Sequence, residues 1–127
     1  MTAIKINLTT DVRSDATFEG TVIPSGVSEY KFTGRITATC LLHRENTSFS
    51  NIVRVGHGDS SKGLEYVEVA FDRQRGKTYM VDTSHKTLEI SGQGQRSSNG
   101  TVDFSLGFNE GVNGEFKDGP WQNFSVG

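Results

Sequence analysis

Alternation of apolar and polar residues runs through much of the chain, whereas no stretch shows the spacing of three and four residues that an amphipathic helix requires. Clear examples are AIKINL at positions 3–8 and TVDFSLGF at positions 101–108. Successive side chains of a β-strand point to opposite faces of a sheet, so each segment predicts a strand with one buried face. The pattern therefore predicts an all-β fold.

The longest alternating segment, EYKFTGRITATCLL at positions 29–42, contains a glycine near its middle. A two-residue turn at Thr33 and Gly34 would send the residues that follow it to the opposite face of the sheet. A single strand bent at Gly34 instead keeps Ile36, Ala38 and Cys40 on the same face as Phe32. We therefore predict one long strand whose buried side chains are Tyr30, Phe32, Ile36, Ala38, Cys40 and Leu42.

Polar, glycine-containing turn segments separate the other strand candidates, which are ATFEGTVI, NIVRV, LEYVEVAF, KTYMVD, KTLEIS and WQNFSV. About nine or ten short strands at this spacing are typical of an antiparallel sandwich, and we favour a jelly-roll connection between them. The chain of 127 residues has no internal repeat and no compositional break. We predict a single-domain antiparallel β-sandwich that covers residues 1–127.

Composition argues against several classes of function. The 13 basic and 15 acidic residues give a net charge of −2, so there is no basic excess of the kind that binds nucleic acid. No segment approaches the ~20 apolar residues of a membrane span, and the first residues lack the apolar run of a signal peptide. Because Cys40 is the one cysteine, we expect no intrachain disulfide. We expect no nucleic-acid partner, no membrane span, and a cytoplasmic protein or one exported without a recognisable signal peptide.

The segment GHGDSSKG at positions 56–63 combines a histidine, an aspartate and three glycines. It matches neither the phosphate-binding pattern GxxxxGK[ST] nor the nucleophile pattern GxSxG. We predict a solvated polar connector between two strands. Alternatively, His57 and Asp59 could join His85 in the two-histidine, one-carboxylate set that binds non-haem iron. This order is similar to that of the iron/2-oxoglutarate oxygenases, although the gap between Asp59 and His85 is short for that family.

The segment NEGVNGEFKDGPWQN at positions 109–123 is rich in amides and acids and ends near the single tryptophan. Amide and carboxylate oxygens bind sugar hydroxyls, and an aromatic ring packs on the apolar face of a pyranose. The predicted ligand-binding residues are Asn109, Asn113, Asp118 and Trp121. The same oxygens could hold calcium, although the EF-hand pattern is not met, and we expect no other cofactor. The alternative for Trp121 is a place in the core.

We expect a non-catalytic, lectin-like module that binds carbohydrate or glycoprotein through loops at one end of the sandwich. A glycine-rich site is costly to order and binds weakly, so we also expect a homo-oligomer that adds avidity. Galectins are similar in length, but their His-x-Asn-x-Arg and Trp-Gly-x-Glu-x-Arg motifs do not occur here. The alternatives are a structural β-sandwich subunit that oligomerises, and a small metal-dependent enzyme that uses His57, Asp59 and His85.

Overall fold

The computed structural model describes residues 1–9, 15–42, 51–71, 82–109 and 116–126. Within these ranges no residue is helical, and no helix is long and apolar enough to cross a membrane. The strands of the described ranges are β1 (Thr2–Thr9), β2 (Asp15–Ser25), β3 (Glu29–Leu42), β4 (Asn51–Asp59), β5 (Gly63–Phe71), β6 (Asp82–Gln95), β7 (Thr101–Asn109), β8 (Phe116–Asp118) and β9 (Gln122–Ser125).

The strands form two antiparallel sheets. The first has the order β1-β2-β3-β6. The second has the order β5-β4-β7, and β8 and β9 pair with the two ends of β7 along its remaining edge. The predicted all-β, antiparallel, sandwich-like architecture is thus confirmed. The jelly-roll connection and the extent of a single domain stay predictions.

Strand β3 runs without interruption through Gly34, as predicted. A Cβ atom at Gly34 would lie 2.6 Å from Cε2 of Phe18, so the absence of a side chain lets that ring lie across β3. The predicted face is buried at the four positions whose side chains are described, namely Tyr30, Phe32, Ile36 and Ala38. The side chains of Cys40 and Leu42 lie outside the described part of the structure.

Side chains from both sheets form one core. The ring centroids of Phe32 and Phe104 are 5.3 Å apart with the rings nearly perpendicular, and Phe18 stacks on Phe104 at 6.2 Å. Such geometries add about 0.5–1.5 kcal/mol per aromatic pair to the effect of buried area. Sequence-distant aromatic contacts therefore join the sheets. The other buried apolar side chains are Ile4, Ile6, Ala16, Val22, Tyr30, Ile36, Ala38, Val53, Val55, Val102, Leu106, Phe108 and Val126.

The segment GHGDSSKG is mostly strand, not a solvated connector. Strand β4 continues to Asp59, and the turn to β5 comprises only residues 60–62. His57 is 2% exposed because it keeps the inward parity of Val53 and Val55. The prediction of a polar loop is therefore wrong for His57 and correct for the short turn. Polar residue types suggested a loop, but alternation along β4 determines which side chain is buried.

The His57 imidazole packs among aromatic side chains in the core. Its ring centroid lies 4.7 Å from that of Phe32, and its Nδ1 is 2.5 Å from the Tyr30 hydroxyl. Burial lowers the pKa of His57, a change that the negative charge of Glu65 opposes. Burial likewise raises the pKa of Tyr30. The tyrosine hydroxyl and Nδ1 of the imidazole therefore share one hydrogen bond inside the core, which gives each of these two buried atoms a partner.

We expect this buried pair to make folding stability depend on pH. The folded-state pKa of His57 is lower than the ordinary value of 6.5, so protonation below that pH favours the unfolded chain and stability falls as the pH falls. Chemical denaturation at several pH values between about 7.5 and about 5 measures this loss. The double variant Tyr30→Phe/His57→Phe removes both hydrogen-bonding partners and should lose less stability over the same range. If the stability of the wild type and of the double variant depends on pH in the same way, the buried pair is not the cause of the loss.

Candidate functional site

The outward-facing residues of the second sheet form one continuous surface. On β4, Arg54 and Gly56 alternate with the buried valines and His57. The strand register places Tyr66 of β5 and Ser105 of β7 on either side of Gly56. We call this surface the aromatic face and define it by Arg54, Gly56, Tyr66, Glu68, Asp103, Ser105, Gly107, Asp118, Trp121 and Asn123.

Gly56 forms the floor of the aromatic face. A Cβ atom at this position would lie 2.8 Å from Cη2 of Trp121, 2.9 Å from Oγ of Ser105 and 3.0 Å from Cε1 of Tyr66. The two rings therefore converge on the space that a side chain would fill. Trp121 is 38% exposed and Tyr66 is 41% exposed, so each ring packs on the sheet and also faces solvent. Adjacent exposed aromatic side chains are a feature of binding surfaces.

A β-bulge places Trp121 on this face. Asp118 at the end of β8 pairs with Gly107, and Gln122 at the start of β9 pairs with Phe104. Three residues, 119–121, thus lie opposite the two residues 105 and 106 of β7. The amide of Gly119 still donates to the carbonyl of Leu106 at 2.8 Å, whereas a proline at position 120 has no amide hydrogen to pair. The extra residue redirects the chain locally, as bulges do next to binding sites.

An ion pair with two parallel hydrogen bonds borders the aromatic rings. Nε and Nη2 of Arg54 donate to the two carboxylate oxygens of Asp118 at 3.0 Å and 2.6 Å. The guanidinium carbon lies 4.1 Å from the centroid of the Tyr66 ring, within the range of a cation–π contact. The hydrogen bond with Asp118 is the main cause that raises the pKa of Arg54. Arg54 therefore fixes Tyr66 and Asp118 relative to each other.

The opposite end of the aromatic face carries a second group of polar contacts. Asp103 accepts a hydrogen bond of 2.8 Å from the amide side chain of Asn123 and one of 3.0 Å from the backbone of Ser60. Asp59 accepts from the hydroxyl and backbone of Ser61, and these bonds lower its pKa. The turn between β4 and β5 is thus tied to β7 and β9 by carboxylate hydrogen bonds.

Ser105 is a buried polar residue beneath the rings. It is fully buried, and its Oγ has no hydrogen-bond partner among the residues that the structure describes. A hydroxyl buried in this way lowers the stability of the fold, because it gives up its hydrogen bonds to water and gains none within the protein. Its position next to the space above Gly56 places an unused donor and acceptor at the centre of the aromatic face.

The predicted sugar-binding residues are only partly accounted for by this surface. Asp118 and Trp121 both lie on the aromatic face, and the exposure of Trp121 agrees with the prediction that it is not a core residue. Asn109 is the last residue of β7, but its side chain lies outside the described part of the structure. Asn113 also lies outside it. Sequence reasoning did not identify Arg54 and Tyr66 as site residues, because their position on one face becomes apparent only when β4 is paired with β5.

The predicted metal set is distributed over different parts of the fold. His57 is buried against Tyr30, and Asp59 lies at the β4–β5 turn. The backbone of His85 belongs to β6 of the other sheet, opposite Thr39, and its side chain lies outside the described part of the structure. The described residues contain no group of three potential His, Cys, Asp or Glu ligands. Binding of iron by the full set, and of calcium near Asp118, stay predictions.

The outer face of the first sheet offers a second surface, an open groove of about 850 Å³. Lys5, Glu19, Arg35 and Glu89 form one row across its four strands. Neighbours in the row approach to 3.4 Å between Lys5 and Glu19, and to 3.5 Å between Arg35 and Glu89. Exposed ion pairs of this kind contribute little to stability. The groove lining contains no aromatic side chain, so the aromatic face is the stronger candidate site.

Replacing Ser105 by alanine should raise the free energy of unfolding by about 1 kcal/mol, because it removes a buried hydroxyl that has no partner. The control is Ser97→Ala, since the Ser97 hydroxyl bonds both the side chain and the backbone of Thr101, at 2.7 Å and 3.2 Å. This control should lose about 1 kcal/mol. Urea denaturation measures both values. A clear loss of stability in Ser105→Ala would contradict the absence of a partner.

Replacing Gly107 by alanine should separate Asp118 from Arg54. The added Cβ would lie 2.0 Å from Oδ1 of Asp118, so the carboxylate must move. We expect a loss of about 1–3 kcal/mol by denaturation, as for other overpacked sites. In an Asp118→Ser background the same change should cost less, because the clashing carboxylate oxygen is gone. Equal costs in both backgrounds would show that the clash lies elsewhere.

Sequence similarity offers no guide to the role of this surface. No family model matches the chain, and no curated protein is significantly similar to it. The chemistry of the aromatic face is therefore the basis for assigning a function.

Proposed function

We propose that the chain is a non-catalytic carbohydrate-binding module that holds a sugar ring against Trp121 and Tyr66. The observation that carries the proposal is the convergence of two partly exposed aromatic rings over Gly56, beside side chains held by hydrogen bonds. A pyranose has an apolar face of C–H groups and a rim of hydroxyls. The aromatic face offers a complement to both.

Aromatic packing supplies the apolar part of this recognition. Trp and Tyr side chains give large contact areas and lose little conformational entropy on binding. Both rings already rest on the sheet, and Arg54 lies against Tyr66, so their orientation is largely set before a ligand arrives. Groups that are oriented in advance bind with a smaller entropic cost. This arrangement supports binding to a flat ring face.

Fixed carboxylates supply the polar part. Each ionised carboxylate offers about four lone-pair positions, so the two bonds from Arg54 leave Asp118 able to accept from sugar hydroxyls. Asp103 is similarly held by Asn123 and Ser60 and keeps further acceptor capacity. Carboxylates that are already engaged by hydrogen bonds are suited to orienting a ligand, which supports a binding role over acid–base catalysis.

The aromatic face is open, so a single site should bind weakly. Binding to a glycoprotein or polysaccharide would then gain strength from several sites acting together. A homo-oligomer would supply these several sites, and we propose it together with the jelly-roll connection that the sequence predicts. The site itself differs from the original expectation, because it uses the face of a sheet together with the segment around Trp121 and not end loops alone.

Replacing Trp121 by alanine should abolish or strongly weaken sugar binding. A panel of neutral mono- and oligosaccharides is titrated while fluorescence is recorded, and since Trp121 is the only tryptophan its emission reports directly on the aromatic face. Calorimetry then compares the wild type with Trp121→Ala and Tyr66→Ala, each of which should lose at least about tenfold in affinity because a stacking ring is removed.

The matched control is Val27→Ala, which truncates an exposed apolar side chain at the β2–β3 turn of the other sheet. It should leave sugar affinity unchanged. Circular dichroism confirms that each variant is folded. If no sugar in the panel changes the fluorescence, or if a bound sugar keeps its affinity in both ring variants, the proposal is contradicted.

A further inference from the structure

We infer that the aromatic face selects uncharged sugars and rejects acidic ones such as uronates and sulfated sugars. This inference rests on the proposed function and adds the class of ligand. It follows from the charged side chains that border the two rings and from the contacts that Arg54 already makes.

Negative charge predominates on the aromatic face. Within the described part of this surface, the carboxylates of Glu68, Asp103 and Asp118 are accompanied by one basic side chain, that of Arg54. Glu68 lies opposite Arg54 in the β4–β5 register, and Asp103 lies at the other end of the face. A ligand that stacks between the rings is therefore bordered by acceptors on both sides. Sugar hydroxyls can donate to such acceptors, whereas a sugar carboxylate or sulfate cannot.

The positive charge of Arg54 is already engaged by groups of the protein itself. Two of its N–H groups donate to Asp118, and its guanidinium lies over the Tyr66 ring. Arginine recognises carboxylates and sulfates through paired N–H groups on one edge. Here Asp118 already takes one such edge and balances the guanidinium charge, so an acidic sugar would meet no uncompensated positive charge at Arg54. Like-charge repulsion without a compensating contact is a common way to exclude a competing ligand.

This exclusion should depend on ionic strength. The side chains of Arg54 and Asp118 are 19% and 29% exposed, and the Glu68 side chain faces solvent. Dissolved ions therefore reach the charges that a ligand would meet. The screening length falls from about 10 Å at 0.1 M salt to about 3 Å at 1 M salt. The preference for a neutral sugar should consequently be largest at low salt.

The experiment compares a neutral hexoside, as its methyl glycoside, with the corresponding methyl hexuronoside. The two share the ring and differ in a hydroxymethyl or carboxylate group at C6. The hexose used is the one that binds best in the neutral panel, and affinities are measured by calorimetry at low salt and at about 1 M salt. We expect the neutral sugar to bind at least about tenfold more tightly at low salt, with a smaller ratio at high salt.

A charge variant and a control locate the effect. Glu68→Gln removes one negative charge and keeps the side-chain shape, so the ratio of neutral to acidic affinity should fall by about threefold or more at low salt. The control is Glu19→Gln, which removes the same charge from the outer face of the other sheet, where Glu19 contacts Lys5. It should leave the ratio unchanged.

The possible outcomes separate this inference from the proposed function. If neutral and acidic sugars bind equally, or if the acidic one binds more tightly, the inference is overturned and the proposed function stands. A preference that Glu68→Gln and Glu19→Gln change to the same extent also overturns it, since the effect would then come from overall charge. If neither sugar binds, the proposed function fails and the inference fails with it.

Discussion

Strand β4 connects the core to the candidate binding surface, because its alternate residues serve opposite faces of the second sheet. Val53 and Val55 pack inward, and His57 joins them next to Phe32 and the Tyr30 hydroxyl. The residues between them face outward and include Gly56, on which both exposed rings converge. A shift of β4 by one residue would exchange these roles, placing a charged side chain in the core and destroying the floor of the aromatic face.

The candidate surface is otherwise held together by contacts between residues distant in sequence. Arg54 joins β4 to Asp118 of β8 and to Tyr66 of β5, while the bulge between β8 and β9 carries Trp121 across β7. Each of these contacts needs the neighbouring strand in its correct register. The arrangement is therefore a product of the whole second sheet, and its polar groups are oriented before any ligand binds.

Local patterns predicted the fold well, because alternation is a property of neighbouring residues. It identified the continuous β3, including its passage through Gly34, and the strand that contains Phe104. The site was harder to predict because it depends on pairings between distant segments. Nothing near Tyr66 in sequence indicates that it shares the space over Gly56 with Trp121. His57 continues the alternation of Val53 and Val55, but its flanking glycines and polar neighbours indicated a loop. Residue type alone suggested the opposite for His57.

The most direct test of the central claim is a map of sugar-induced chemical-shift changes in a two-dimensional amide and indole NMR spectrum. A saturating neutral oligosaccharide should shift the indole N–H of Trp121 and the amides of Gly56, Tyr66 and Ser105, which surround the floor of the aromatic face. Amides in the groove of the other sheet, such as those of Thr21 and Thr33, should remain unchanged. Shifts confined to that groove, or no shifts at saturating sugar, would contradict the account.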